Sequence, residues 1–130
     1  MMMQGTAIVI DDDPDIADVF SELLSLQGIE ILGIGYNGVD AINLFSQKSP
    51  SIVFMDVHMP KLNGIEALKR IKKESPESTV VMVTGDLSSD LVTTLEDIGA
   101  NTIIHKPFNM DKILNVLREI QKSNKMVTQI

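Results

Sequence analysis

The 130-residue chain contains no cysteine, which excludes disulfide frameworks, thiolate metal sites and cysteine nucleophiles, and nothing calls for an oxidising compartment. Positive charge is scarce. Eleven lysines and arginines face 18 aspartates and glutamates, a net charge of −7, and such a chain is repelled by phosphate backbones and anionic lipid. The expectation is therefore no nucleic acid and no membrane among its partners. No apolar run approaches the roughly 20 residues of a membrane span, and Met1 to Met3 are too short for a signal segment and lack a basic lead. A soluble, cytoplasmic protein is expected. Repeats, linkers and low-complexity stretches are also missing, and 44% of residues are hydrophobic, enough for a core. The length suits one domain over residues 1–130, with a core over about 6–122 and a loose tail over about 123–130.

What is present is an ordered alternation. Short apolar runs rich in Val and Ile occur at Ala7 to Ile10, Ile29 to Leu32, Ile52 to Met55, Val80 to Val83 and Thr102 to Ile104. Continuous rather than alternating hydrophobicity predicts strands buried on both faces, as in parallel sheets. Between and after them, helical spacing groups Ile16, Val19, Phe20 and Leu23, then Ala41, Ile42 and Phe45, then Ile65, Leu68 and Ile71, then Leu91, Leu95 and Ile98, and finally Ile113, Leu117 and Ile120. Gly28 and Gly99 stand where helix C-terminal glycines belong, and Ser88 or Ser89 and Asn109 where N-caps do. Five strands alternating with five helices predict an α/β fold, a doubly wound parallel sheet with helices on both faces.

In such a sheet every strand carboxyl end opens on one edge, where ligands bind. The residues predicted there are Asp11 and Asp12 after the first strand, Asp56 after the third, Thr84 after the fourth and Lys106 after the fifth. Three carboxylates held together repel unless a cation neutralises them. Oxygen ligands without cysteine suit a hard ion, and Mg²⁺, which accepts one or two carboxylates and is completed by phosphate oxygens, fits best. A hydroxyl and an ammonium beside it are what developing phosphoryl charge needs. The set reads as phosphoryl transfer.

The runs Ile8-Val9-Ile10-Asp11-Asp12-Asp13-Pro14, Met55-Asp56-Val57-His58-Met59-Pro60 with Asn63-Gly64, Val83-Thr84-Gly85 and His105-Lys106-Pro107-Phe108 resemble the receiver domain of two-component response regulators, the CheY-like family. The resemblance spans nearly the whole chain. It implies a flavodoxin-like (βα)5 fold in three α/β/α layers, with strand order 2-1-3-4-5. It also implies a phosphoacceptor switch in phosphorelay signalling, taking a phosphoryl group from a phosphohistidine of a sensor histidine kinase or phosphotransfer protein. Asp56 would be the acceptor. Mg²⁺ would be held by Asp12, by Asp11 partly through water, by Asp56 and by the backbone carbonyl of His58. Thr84 and Lys106 would bind phosphoryl oxygens, with Pro60, Gly64 and Pro107 shaping the turns and Lys106-Pro107 a cis peptide. Where the family often carries an aromatic switch, this chain has Ile103, and Gly85 leaves more room than usual after the threonine. His58 and Asp86 occupy positions that tune phosphoryl lifetime. A downstream protein target would be met by the fourth helix, fifth strand and fifth helix.

Simpler readings take several other features. Asp13, followed by Pro14 and Asp15, reads as a helix N-cap, with Asp15 and Asp18 as acids near a helix start. Met55 and Met82 read as core filling, neither histidine is given an acid-base role, and Lys69, Arg70, Lys72 and Lys73 read as a solvated face. Gly33-Ile34-Gly35-Tyr36-Asn37-Gly38 matches a dinucleotide-binding loop, with Asp56 near the spacing of about 20 residues. That match leaves Asp11, Asp12, Thr84 and Lys106 without work. Asp11, Asp13, Asp15 and Glu22 fit calcium-loop positions, but Ile16 stands where glycine is required. Two alternatives to the phosphoacceptor are kept. One is a dinucleotide-binding module. The other is a small aspartyl-phosphate phosphohydrolase resembling haloacid dehalogenases, in which Asp11 and Asp13 would be the paired acids.

Overall fold

The computed structural model describes the backbone of residues 4–128 and the side chains of residues 4–123. Five strands, β1 (Thr6–Ile10), β2 (Glu30–Gly35), β3 (Ile52–Asp56), β4 (Thr79–Thr84) and β5 (Thr102–His105), alternate with helices α1 (Pro14–Leu26), α2 (Gly38–Lys48), α3 (Gly64–Glu74), α4 (Ser89–Ile98) and α5 (Met110–Thr128). All strand pairs are parallel, in the order β2-β1-β3-β4-β5. This is the doubly wound α/β sheet expected. The final helix continues to Thr128 where a loose tail was expected from Ser123. Met1 to Met3 and residues 129–130 lie outside the described residues.

Side-chain alternation along the strands builds two cores. On one face Ala7, Val9, Phe54, Val81, Val83 and Ile104 pack beneath α1 and α5. On the other Ile8, Ile10, Val53, Met55, Val80 and Met82 pack beneath α2, α3 and α4. Phe54 is fully buried at the centre, with Phe20 of α1 at 5.1 Å between ring centroids. Emptying such a site costs about 3–5 kcal/mol.

The buried face of α1 is Ala17, Phe20, Ser21 and Leu24, not the stripe through Val19, which is 50% exposed. Two apolar stripes run side by side on this helix, and the one carrying the small residues approaches the sheet closely. β2 also runs on through Gly33 and Gly35, where a glycine loop had been possible. A Cβ at Gly33 would lie 2.8 Å from Leu44 Cδ2, and one at Gly35 2.7 Å from Asp40 Cβ. Their glycines thus serve strand–helix packing rather than a phosphate loop. Within the basic run on α3, Lys72 is half-buried and hydrogen-bonded. Its Nζ donates to Asn101 Oδ1 at 2.9 Å and to the Ser78 carbonyl, and burial lowers its pKa.

Helix starts are set by side-chain caps. Asp13 accepts from the Asp15 and Ile16 amides, Asn37 from Asp40, Asn63 from Glu66, and Ser88 from Leu91. Asn109 accepts from Lys112. Gly99 ends α4 in the left-handed region at φ 118°. The N-caps turn the chain into each helix at the carboxyl edge of the sheet, where the strand ends meet.

Candidate functional site

Register alone places the site. β1 pairs with β2 and β3, and the Asp11 amide extends the ladder one step beyond β1 by donating to the Gly35 carbonyl at 3.1 Å. Asp56 closes β3 opposite Val83, and Thr84 closes β4 opposite His105. Asp56 and Thr84 are therefore the last strand residues rather than the first loop residues. Asp11, Asp12 and Asp56 each offer a carboxylate oxygen within 4.8 Å of the others. Asp11 and Asp56 are buried and Asp12 is exposed.

Each buried carboxylate is held on two sides. Asp11 Oδ1 accepts from the Asp13 amide at 2.9 Å, and Asp11 Oδ2 from Lys106 Nζ at 2.9 Å. Asp56 Oδ1 accepts from the Val57 amide at 2.8 Å, while Asp56 Oδ2 faces Lys106 Nζ at 3.5 Å. Burial raises the pKa of Asp56, and repulsion from Asp11 and Asp12 adds to it, more than Lys106 and the Val57 N–H lower it. For Lys106 burial works against the charge, but the hydrogen bond to Asp11 and the field of Asp56 outweigh it and hold its pKa above the ordinary lysine value. The cluster thus keeps uncompensated negative charge. Three oxygen donors with no nitrogen or sulfur suit a hard divalent cation such as Mg²⁺, which would relieve that repulsion.

The acceptor loop after β3 is pinned by backbone. The Gly64 amide donates to the Val57 carbonyl at 2.8 Å and the Gly38 amide to the Leu62 carbonyl at 2.7 Å. A Cβ at Gly64 would collide with the Asp56 carbonyl oxygen, so only glycine allows this approach. Pro60 leads into Lys61, whose φ is 65°. On the far side Lys106-Pro107 is cis, and the Lys106 amide donates to the Thr84 carbonyl at 2.8 Å.

Not every predicted residue meets the carboxylates. Thr84 is fully buried at the same edge, but its Oγ1 accepts from the Asp86 amide at 3.0 Å. Asp86 Oδ1 accepts from the Ser88 amide, which holds its pKa low, and Asp86 Oδ2 stands 3.6 Å from His58 Nε2. His58 and Asp86 thus face each other from the loops after β3 and β4. Ile103 lies further back on β5, opposite Met82, half-buried against the α2, α3 and α4 core. Gly85 is exposed, and the atom nearest a Cβ there would be Lys106 Cβ at 3.8 Å. Asp13 caps α1 and is not among the clustered acids.

The family model of the response regulator receiver domain matches residues 7–118, from β1 into α5. This chain belongs to that family. CheY of Thermotoga maritima is 28% identical to the receiver over 120 residues, which cover 92% of this chain and 100% of that protein. The uncharacterized transcriptional regulatory protein YkoG of Bacillus subtilis is 32% identical over 129 residues. The chain spans only 56% of that relative's length. Among solved structures, CheY of Borrelia burgdorferi in its complex with CheX, BeF3 and Mg²⁺ superposes with a TM-score of 0.87 at 23% identity, covering 91% of this chain and 90% of that one. The fold and family leave the dinucleotide-binding and dehalogenase-like alternatives without support. Among the described residues, no helix of the receiver is long and apolar enough to cross a membrane.

Sequence reasoning passed over Lys112, whose Nζ donates to the carbonyls of His105 and Pro107. A cation three residues after the Asn109 cap, where acids are favoured, was the available signal.

Proposed function

We propose that this receiver is a phosphoacceptor switch in the cytoplasm. It takes a phosphoryl group onto Asp56 from a phosphohistidine of a sensor histidine kinase or phosphotransfer protein. Asp56 itself supports this most directly: its Oδ1 is held by the Val57 amide, and its Oδ2 faces Lys106 from a buried position at the carboxyl edge of the sheet. Oδ2 attacks phosphorus, an O–P bond forms as the N–P bond breaks, and the electron pair of the broken bond stays with the donor imidazole. The raised pKa makes the ionised Asp56 carboxylate more basic and therefore a better nucleophile.

Asp11, Asp12, Asp56 and the His58 backbone carbonyl would hold Mg²⁺. Bound there, the ion screens the carboxylates and stabilises charge on the transferring phosphoryl oxygens. Lys106 exchanges part of its contact with Asp11 for a phosphoryl oxygen, and the Thr84 hydroxyl leaves the Asp86 amide for another. His58 and Asp86, on opposite loops above Asp56, set how readily water reaches the acyl phosphate and so how long it lasts. Gly85 gives the Thr84 loop room to move, and the shift spreads to the α4–β5–α5 face around Ile103, where a downstream protein binds. The chain acts on no external substrate and catalyses only its own phosphorylation and dephosphorylation.

Incubation with Mg²⁺ and acetyl phosphate should add one phosphate, read by intact mass, and chelation of Mg²⁺ should prevent it. Asp56→Asn should abolish the addition. A phosphate retained by that variant would move the acceptor elsewhere.

A further inference from the structure

Lys112 stands where helix physics disfavours it. Asn109 Oδ1 accepts from the Lys112 amide at 2.9 Å, which makes Lys112 the third residue of α5. At that position a glutamate or glutamine side chain favours the helix start, and positive charge opposes the helix dipole. α2 and α3 carry acids at the matching position, Asp40 and Glu66, whose amides the caps Asn37 and Asn63 hold. Among the described residues, no other helix has a cation in its first turn.

The ammonium has a use that the helix does not explain. Lys112 Nζ donates to the His105 carbonyl at 3.2 Å and the Pro107 carbonyl at 2.9 Å. These groups lie on either side of Lys106. The peptide joining His105 to Lys106 is therefore gripped at both ends, its N–H by the Thr84 carbonyl at 2.8 Å and its C=O by Lys112. From that fixed backbone the Lys106 side chain reaches Asp11 and Asp56.

We infer that Lys112 is a positioning residue for phosphoryl transfer: by clamping the carbonyls that flank Lys106, it aims the Lys106 ammonium at the acceptor site. This rests on Asp56 being the phosphoacceptor. Lys112 touches none of the site carboxylates, so its whole effect must pass through Lys106.

The test compares Lys112→Met, matched in length and neutral, with Lys112→Arg, which keeps a cationic donor. Three quantities are read in the full chain: phosphorylation rate with acetyl phosphate, affinity for beryllofluoride in saturating Mg²⁺, and melting temperature. Lys112→Met should lower the rate and the beryllofluoride affinity by about tenfold, less than the roughly hundredfold that a 1 Å misplacement can cost, because Lys106 keeps its own contacts to Asp11 and Asp56. Lys112→Arg should restore most of both. The melting temperature should stay level or rise in Lys112→Met, because a charge unfavourable to the helix is gone. In a Lys106→Met background, Lys112→Met should add no further loss. A loss that persists in that background, or one that merely tracks a lower melting temperature, overturns the inference. So does wild-type behaviour of Lys112→Met. If instead the wild-type chain takes no phosphate, or Asp56→Asn keeps it, the phosphoacceptor reading is what fails.

Discussion

Lys106 lies 2.9 Å from Asp11 Oδ2 but 3.5 Å from Asp56 Oδ2. Its charge serves both buried carboxylates, while its short hydrogen bond belongs to Asp11. Removing it by Lys106→Met leaves two buried acids and Asp12 facing one another without a cation. Breaking a fully buried pair costs about 3–5 kcal/mol, but the Lys106 side chain is 22% exposed. Water will screen part of that repulsion, so a loss of about 1–3 kcal/mol is expected. Mg²⁺ should protect the variant more strongly than the wild type, since a ligand selective for the folded state stabilises it and the competing ammonium is gone. Urea denaturation with and without Mg²⁺ tests both; equal stability of the two chains in chelator would refute the first.

The same crowding gives Asp56 an unusual effect on stability. Its carboxyl is raised above the ordinary value by burial, then by Asp11 and Asp12. Just above pH 3.8 the folded state holds a proton that the unfolded state has released. Stability therefore falls as pH rises through the window between the ordinary pKa and the raised one, and the penalty is complete above it. Asp56→Asn removes that penalty. It should melt above the wild type at pH 7, with the difference shrinking as pH approaches 4, the ordinary carboxylate range. A wild type more stable than the variant at pH 7 would reverse the sign of the argument.

Two glycines beside the site should respond in opposite ways. At Gly64 an added Cβ would strike the Asp56 carbonyl oxygen and come within 2.9 Å of Val57 Cα, both rigid backbone. Gly64→Ala should cost about 2–4 kcal/mol and slow phosphorylation, because the displaced residues include the acceptor. At Gly85 the nearest atom is 3.8 Å away, and no left-handed backbone is involved. Gly85→Ala should be neutral or stabilising by up to about 1 kcal/mol, through the unfolded chain. Thermal melts of the pair decide this, and similar losses in both would show that space around the backbone is not the controlling factor.

Much of this is legible in the sequence itself, and the reasons are physical. Strands buried on both faces have to be continuously apolar, which is why Ile52 to Met55 and Val80 to Val83 stand out in the sequence. Asp11, Asp56, Thr84 and Lys106 follow or end such runs, so parallel topology brings them to one edge whatever the details of the loops. What was not legible depends on choices between nearly equal neighbours. Helical spacing could not separate the Val19 stripe of α1 from the Ala17 and Ser21 stripe, because small residues give a weak hydrophobic signal while allowing the closest approach. Gly33 and Gly35 read as loop residues until Leu44 and Asp40 of α2 are seen packed against them. Lys72 and Lys112 look like solvated charges because each has a backbone carbonyl as partner, which every sequence supplies in every position, and the one side-chain partner, Asn101 to Lys72, is distant in sequence.

Thr84 offers the sharpest test of how the site could reach α4. Its hydroxyl accepts from the Asp86 amide at 3.0 Å, the Asp86 carboxylate accepts from the Ser88 amide at 2.9 Å, and Ser88 Oγ accepts from the Leu91 amide at 3.4 Å. A phosphoryl oxygen that draws the hydroxyl away frees the first of these links, and the others carry the change into the first turn of α4. Thr84→Val keeps the shape of the side chain and removes the hydroxyl, leaving the Asp86 amide unpaired at a cost of about 1–2 kcal/mol. Asp56, Lys106 and the acid cluster are untouched, so acetyl phosphate should still phosphorylate the variant, at a rate lowered only by the loss of one hydrogen bond to the phosphoryl group. The amide shifts of Ser88 to Val92 on adding beryllofluoride and Mg²⁺ should be much smaller than in the wild type. If those shifts persist undiminished, the Thr84 hydroxyl is not the link between the acceptor site and α4.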